Sequence, residues 1–447
     1  MTEPTVGIDA IEIWTGKCKL DLAETFAPAK DDDPAKYTKG LGLRASSFPD
    51  TYEDIVTMAA NAAKRLMDRE GIVPEDIGRI DVATESAFDN SKPVSTYVAG
   101  CLEQVYDGDF RHANKGERKF ACVSGTQSID DAYNWIRAGR NRGRAALVIA
   151  TDTALYARGD PGEATQGAGA VAMLVDEDPS IVALSTDQGI GSMDETDFLK
   201  PNQQFPSVDG KRSVQVYLAR MREALEDYES AAGRVEVEDF AYAPFHTPFP
   251  GMVRKAAVLA YRHVTRGTEI EDALEPEIGR QPREADVADR EAFETAMRDY
   301  VDALSETERY QTWYDATIEP TLGIAREVGN WYTGSVHLAR ASALLAALED
   351  DRDLVGETLL VGSYGSGAQA EIHAETVREG WREGVGALDP FERLDDRYDL
   401  SFDEYERIHD AHNHEVESEV EPFTEPAGEF VHAGWGRMNE RKYEYVE

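Results

Sequence analysis

Apolar positions recur along the first 180 residues in two alternating rhythms. Short, largely apolar runs such as Ile80-Asp81-Val82-Ala83-Thr84 and Ala145-Ala146-Leu147-Val148-Ile149-Ala150 predict strands, as do residues 170–175, which follow glycines at 167 and 169. Between them Ile55, Met58, Ala59, Ala62, Ala63 and Leu66 fall three and four apart, so residues 52–69 predict a helix with one apolar face. Strand alternating with helix is the pattern of an α/β fold.

The second half repeats this plan. Phe240-Ala241-Tyr242-Ala243 predicts a strand ending at His246, as the strand from Ile80 ends at Glu85, and Leu359-Leu360-Val361-Gly362 matches the strand around Val148. Cys122 precedes a helix over Gly125–Ala138, and Asn330 precedes one over Thr333–Leu348. The segment between His246 and Asn330 exceeds its counterpart between Glu85 and Cys122 by about the length of the acidic stretch 267–312, which therefore reads as an insertion. The predicted architecture is a duplicated α/β fold with the site between its halves. The halves are 1–180 and 181–388, followed by an acidic C-terminal extension, 389–447, expected to be a partly helical surface element.

Charge narrows the function classes. The chain has 447 residues, 46 of them basic and 86 acidic, for a net charge of −40. General electrostatic binding to nucleic acid or to an anionic membrane is excluded. With 41 % hydrophobic residues it is nonetheless a globular chain. Only 13 of the basic residues are Lys, a balance expected of a protein adapted to high salt, where carboxylate repulsion is screened.

Cys18, Cys101 and Cys122 form no C-x-x-C pair, which argues for a reducing compartment and against a structural zinc site. Met1 to Pro4 shows no basic start before an apolar stretch, and no run of about 18 apolar residues occurs. The expected location is cytoplasmic, with no membrane partner.

Three residues stand out chemically. Cys122, at a helix start, is expected to feel the positive end of the helix dipole, which lowers a thiol's pKa and favours the nucleophilic thiolate. Glu85 directly follows a strand, where an apolar crevice would raise its carboxyl toward neutrality and ready it for proton transfer. His246 lies between Pro244 and Pro248 and beside Phe245, placed to donate a hydrogen bond to a developing oxyanion. Taken singly, each also fits a structural role. His409, His412 and His414, with Glu415 and Glu417, imitate a metal cluster, but their spacing fits no zinc motif and solvated surface is the expected reading. Gly362, Gly365 and Gly367 predict a turn that brings backbone close to a ligand.

Six separated motifs, taken together, resemble the 3-hydroxy-3-methylglutaryl-CoA synthase family of the thiolase superfamily. They are Thr84-Glu85-Ser86 with Asp89-x-Ser91-Lys92; Ala121-Cys122-x-x-Gly125-Thr126 running to Asn134-Trp135-Ile136; and Asp197-Phe198-x-Lys200-Pro201 leading to Val208-Asp209-Gly210-Lys211-x-Ser213. The others are Phe245-His246-x-Pro248, Gly329-Asn330-x-Tyr332-Thr333-x-Ser335 and Ser363-Tyr364-Gly365-Ser366-Gly367. The similarity runs from Val6 to about Glu371 and leaves the insertion and tail uncovered.

The resemblance implies a thiolase-like fold of two pseudo-symmetric halves layered α-β-α-β-α, usually a homodimer. It implies that Cys122 accepts an acetyl group from acetyl-CoA, that Glu85 removes a proton from the acetyl methyl, and that His246 holds the acetoacetyl-CoA carbonyl. It further implies that Asp152, Asp197, Phe198, Asn330, Tyr332, Tyr364 and Ser366 shape the pocket and that Thr165, Ser213 and Lys255 contact CoA. CoA thioesters would be substrates, with no resident cofactor or metal, in the mevalonate route to isoprenoids. The sequence departs from the family where Val123 and Ser124 follow Cys122 in place of a common Tyr-Gly, and where Gly251 stands at a frequent lysine. A ketoacyl synthase of the same superfamily and a non-catalytic CoA-binding scaffold are the alternatives.

Overall fold

The computed structural model describes residues 4–283, 285, 287–388, 390–411 and 420–447. Its frame is one eight-stranded mixed sheet, with part of it from each half of the chain. The strands are β1 (Val6–Thr15), β2 (Ile77–Ala83), β3 (Asn114–Arg118), β4 (Ala145–Ala154), β5 (Gly167–Glu177), β6 (Val182–Ser192), β7 (Thr358–Gly365) and β8 (Gln369–Val377). In the first half β1 lies antiparallel to β5 and β5 antiparallel to β4, while β4 and β2 run parallel, as do β2 and β3. In the second half β6 lies antiparallel to β8 and β8 antiparallel to β7. Next to β7, in the place that β2 holds beside β4, the 242–245 segment runs parallel to it. The two parts of the sheet thus share one strand order, the signature of duplication. They join where β1 lies antiparallel to β6, with Gly7 opposite Ala183 and Ile8 opposite Val182. A Cβ on Gly7 would lie 2.0 Å from the Val182 carbonyl oxygen, so this seam requires glycine.

The 240–243 stretch departs from expectation: it forms no continuous strand, and only Tyr242 and Phe245 make bridges, to Leu359 and Gly362. Pro244, lacking an N–H, cannot extend a ladder.

Helices fill three layers. Helix α1 (Ile55–Glu70) covers the outer face of the first part of the sheet, capped by Asp54 and Thr57 and ended by Gly71 at φ 66°. Helices α2 (Ser124–Arg137), α3 (Gly210–Ala232), α4 (Pro250–Thr265) and α5 (Ser335–Glu349) follow. Along β5, Val171, Met173 and Val175 pack with Ile129 and Ile136 of α2 and Leu338 and Ala341 of α5. The alternate residues Ala170, Ala172 and Leu174 pack with Met58, Ala59 and Ala62 of α1. That period of two, with both faces covered, is why the strand reads as one apolar run. On the far side, Tyr217 and Met221 of α3 and Val253 and Ala257 of α4 pack with Leu360 of β7 and Ile372 of β8. The layers are α-β-α-β-α, with α2 and α5 at the centre.

The acidic stretch is helical, with segments Glu269–Ile278, Arg290–Ser305 and Glu308–Thr317, and its Leu274, Tyr300, Leu304 and Tyr310 pack in the cluster that holds α4. The tail is no mere surface extension. Tyr398–Asp399 joins Cys18–Asp21 in a small sheet, and the helix Phe402–Ala411 buries Tyr405, Ile408 and His409. A terminal hairpin lies against α1, where the Phe430 N–H donates to Asn61 Oδ1 at 2.7 Å and Asn61 Nδ2 donates to the Phe430 carbonyl at 3.2 Å. The expectation of solvated surface fails at His409, which stacks on Phe205 and bonds the Tyr156 carbonyl at 2.8 Å. His412, His414, Glu415 and Glu417 lie outside the described residues. Among the described residues, no group of three or more His, Cys, Asp or Glu is arranged to hold a metal ion, and no helix is long and apolar enough to cross a membrane.

Candidate active site

Cys122 sits in the turn between Phe120 and α2. Ala121, just before it, has φ 45°, a left-handed backbone that costs a β-carbon residue about 1 kcal/mol and presents the next side chain sharply. The Ser124 hydroxyl donates to the Ala121 carbonyl at 2.7 Å and fixes the turn. A Cβ on Gly365, at the end of β7, would fall 2.7 Å from the Phe120 carbonyl oxygen and 2.8 Å from the Val123 nitrogen, so glycine there lets the second half close on the thiol's turn.

Glu85 leaves the end of β2, and the Cys122 thiol donates to its Oε1 at 2.8 Å. Burial, with the Asp152 carboxylate second, pushes Glu85 up to about 8 against the pull of the thiol and of Lys200. Burial and Glu85 together raise the Cys122 thiol well above its ordinary value. This overturns the expected resting thiolate: the desolvation and the neighbouring carboxylate outweigh the helix dipole. The residues instead form a protonated thiol hydrogen-bonded to a carboxyl group that is placed to serve as its base.

Asp152, fully buried at the end of β4, organises both. Its Oδ1 accepts from the Glu85 N–H at 2.7 Å, the Ser86 hydroxyl at 2.8 Å and the Thr84 hydroxyl at 3.1 Å. Its Oδ2 accepts from the Thr333 hydroxyl at 2.6 Å and the Thr333 N–H at 3.1 Å. Burial raises Asp152 to about 6 despite these donors.

His246 approaches from the second half. Its N–H donates to the Gly362 carbonyl at 2.7 Å, and Tyr217 donates to its own carbonyl at 3.0 Å. The ring is buried, Nδ1 has no partner within the protein, and burial pushes it down to about 3, so the imidazole is neutral. The Tyr364 ring lies 6.2 Å from it, and burial, with the Asp197 carboxylate second, raises the Tyr364 phenol. Tyr364 also bonds Ser366 and donates to Asp197 Oδ2 at 3.4 Å, while Asp197 Oδ1 is buried without a protein partner. The Asp197 acceptor and the His246 imidazole nitrogen, both buried without a protein partner, leave room for a polar substrate.

The wall is aromatic. Tyr332, at φ 42°, sits with its ring 6.5 Å from Tyr156 and 6.1 Å from Phe198, and these rings pack with Cys122. Asn330 Oδ1 accepts from the Tyr332 N–H at 2.8 Å and the Ser335 hydroxyl at 2.9 Å, which shapes the turn into α5. Sequence reasoning singled out neither Tyr156 nor Tyr217; both lie outside the recognisable motifs, and only the fold brings them to the site. Thr165 faces inward rather than to a free surface: its hydroxyl donates to the Gly162 carbonyl at 2.8 Å and its carbonyl accepts from the Asn330 N–H at 3.0 Å. Ser213 is half-buried in the first turn of α3. Lys255 is exposed and lines a cleft of about 1370 Å³ whose walls mix basic residues such as Lys39, Arg44 and Arg254 with acidic ones such as Glu294, Asp302 and Glu319.

Two family models match the chain in succession: Hydroxymethylglutaryl-coenzyme A synthase N terminal over residues 3–180, and the C-terminal model of the same family over 189–427. The chain belongs to the hydroxymethylglutaryl-CoA synthase family. A hydroxymethylglutaryl-CoA synthase of Haloferax volcanii is 74 % identical over 99 % of this chain and 100 % of its own. One from Ganoderma lucidum is 32 % identical over 87 % of this chain and 83 % of its own. Among solved structures, MvaS in complex with 3-hydroxy-3-methylglutaryl coenzyme A superposes with a TM-score of 0.84 at 31 % identity over the whole of both chains. A hydroxymethylglutaryl-CoA synthase complexed with CoA gives 0.77 at 28 % identity, covering 99 % of this chain and 100 % of that one.

The molecule is thus an enzyme with the thiolase-like fold that its motifs implied. The family match also extends over the acidic stretch and most of the tail, which the motif resemblance left uncovered. The departure at Gly251 has a steric cause: a Cβ there would lie 2.6 Å from the Gly40 carbonyl oxygen, so the lysine common in hydroxymethylglutaryl-CoA synthases is shut out. Ser124, two places after Cys122, fixes the turn through its bond to the Ala121 carbonyl, whereas nothing in the structure explains Val123.

Proposed function

We propose that the protein condenses acetyl-CoA with acetoacetyl-CoA and water to give 3-hydroxy-3-methylglutaryl-CoA and free CoA, for the mevalonate route to isoprenoids. The contact between the Cys122 thiol and Glu85 carries this reading. Glu85 takes the thiol proton as sulfur attacks the acetyl-CoA carbonyl, and the proton leaves with the CoA thiol. The acetyl group is now a thioester on Cys122, which acidifies its methyl group. Glu85, a desolvated carboxylate, removes one methyl proton. The carbanion attacks the ketone carbon of acetoacetyl-CoA while a His246 N–H donates to the ketone oxygen. The proton taken from carbon ends on the new hydroxyl. Water then cleaves the thioester, releasing the product carboxylate and the Cys122 thiol.

Side chains supply every catalytic function in this scheme, so CoA thioesters are substrates and no resident cofactor takes part. Tyr332, Tyr156 and Phe198 exclude water, while Asp197, Tyr364 and Ser366 orient the second substrate. Lys255 and its basic neighbours attract the CoA phosphates. A homodimer, continued through the free edge of β3, and a cytoplasmic location belong to the same reading.

Incubation with acetyl-CoA followed by intact mass measurement tests it. One acetyl addition is expected, absent in Cys122→Ala. No addition to the wild-type protein would make the chain a CoA-binding scaffold. Condensation that survives Glu85→Ala would favour a ketoacyl synthase.

A further inference from the structure

On the far end of α3 and α4 from His246, a second cavity of about 590 Å³ opens against the acidic stretch. Three arginines converge on it from the two helices, Arg222, Arg262 and Arg266, and Arg283 reaches it from the acidic stretch. In a chain of net charge −40, guanidinium groups have carboxylates to spare, and elsewhere they take them: Arg69 with Glu12, Arg340 with Glu375, Arg326 with Glu319.

Here they do not. Arg262 is largely desolvated, its Nε is buried without any acceptor, and its Nη1 faces the Met297 thioether sulfur at 2.6 Å. A thioether is a weak acceptor that carries no charge. Arg222 and Arg266 both repel Arg262, adding to burial in lowering its hold on a proton. Arg222 stands 3.7 Å from Glu226 and 3.9 Å from Glu223, beyond hydrogen-bond length, and among the described residues Arg266 has no ion pair at all. Glu271, the other acid at the rim, accepts the Gly267 N–H at 2.6 Å instead. His263 is likewise engaged, bonded to Glu229 at 2.7 Å.

Two like charges beside a buried guanidinium whose Nε has no acceptor, only partly offset by Glu226, are unfavourable unless an anion completes them. Guanidinium forks match phosphate oxygens in pairs, and the volume exceeds what a bare ion needs. Phe293, Met297 and Pro282 supply an apolar wall beside the charges. We propose that this cavity is a second ligand site, separate from the condensation site, which takes a phosphate monoester with an apolar body, its phosphate held by Arg222, Arg262 and Arg266. The apolar wall distinguishes such a ligand from free phosphate.

Calorimetric titration of the full-length protein in molar salt, with inorganic phosphate and with hexyl phosphate as probes, tests this. Saturable binding is expected for both, tighter for hexyl phosphate. Affinity for each should fall about tenfold or more in Arg262→Met, which keeps the contact with Met297, and in Arg266→Gln. Acetylation of Cys122 should be unchanged in both variants, which shows that they fold. Heats that do not saturate, or that are equal in wild type and variants, would reduce the effect to bulk salt and overturn the proposal. Displacement of hexyl phosphate by CoA would place it in the substrate cleft and overturn it equally.

Discussion

Asp152 reaches across the molecule to Thr333: one carboxylate oxygen holds the amide of Glu85 in the first half while the other takes the Thr333 hydroxyl of the second at 2.6 Å. The Glu85 carboxylate, the base of the proposed reaction, is therefore placed by contacts from both repeats. Asp152→Asn keeps the shape but turns one acceptor into a donor facing Thr333 or Glu85. A loss of roughly 100-fold in kcat is expected, as for a misplaced catalytic group, with a smaller change in KM. Steady-state kinetics check it.

The same substitution predicts a pH effect. Glu85 must be ionised to take a proton, and with its carboxyl raised to about 8 the rate should climb through that pH and not near the ordinary carboxylate value. Asp152 contributes to the raising, so Asp152→Asn should move the acidic limb of the kcat profile to lower pH. A limb that stays put would show that burial alone sets it.

Glu85 also bears on stability. Its folded value, about 8, exceeds the ordinary 4.5, so its stabilising contribution is full below pH 4.5 and lost as pH rises through 8. Above that pH the buried charge opposes folding. Glu85→Gln should abolish condensation yet raise the melting temperature by about 2 °C in alkaline buffer, with a smaller gain in acid. Thermal melts at two pH values decide this.

His246 is held neutral, at about 3, by burial alone. The pH profile should therefore show no histidine limb near neutrality. His246→Ala should lower kcat/KM roughly 100-fold or more through loss of an oxyanion donor, while Cys122 acetylation from acetyl-CoA persists.

Salt is the remaining variable. With net charge −40, dilution to about 0.1 M salt lengthens screening from about 3 Å to about 10 Å and exposes carboxylate repulsion. Unfolding and loss of activity are expected on dialysis, read by circular dichroism. Full activity at low salt would refute the adaptation.

What the sequence made legible was local and periodic. The apolar alternation of β5 and the face of α1 could be read because each reports its own two neighbouring layers, and the three central residues stood at element ends where chemistry concentrates. Glu85, Cys122 and the turn at Asn330 were found that way. The thiol's charge state was misjudged, since the dipole is visible in sequence but desolvation by Tyr156 and Tyr332 is not. His409 shows the same limit: Phe205, Tyr156 and Gln166, hundreds of positions away, turn a polar-looking tail residue into part of the interior. Pro244 could have warned that the 240–243 run would bridge and not pair.

The tail has an influence that its distance along the chain conceals. His409 grips the main chain of Tyr156, whose ring packs with Cys122, so the chain must be synthesised through residue 409, into its last tenth, and docked before the proposed reaction chamber acquires its rear panel. A ribosome-bound chain that ends short of residue 409 would own all three reactive groups and still lack a sealed vessel to use them in.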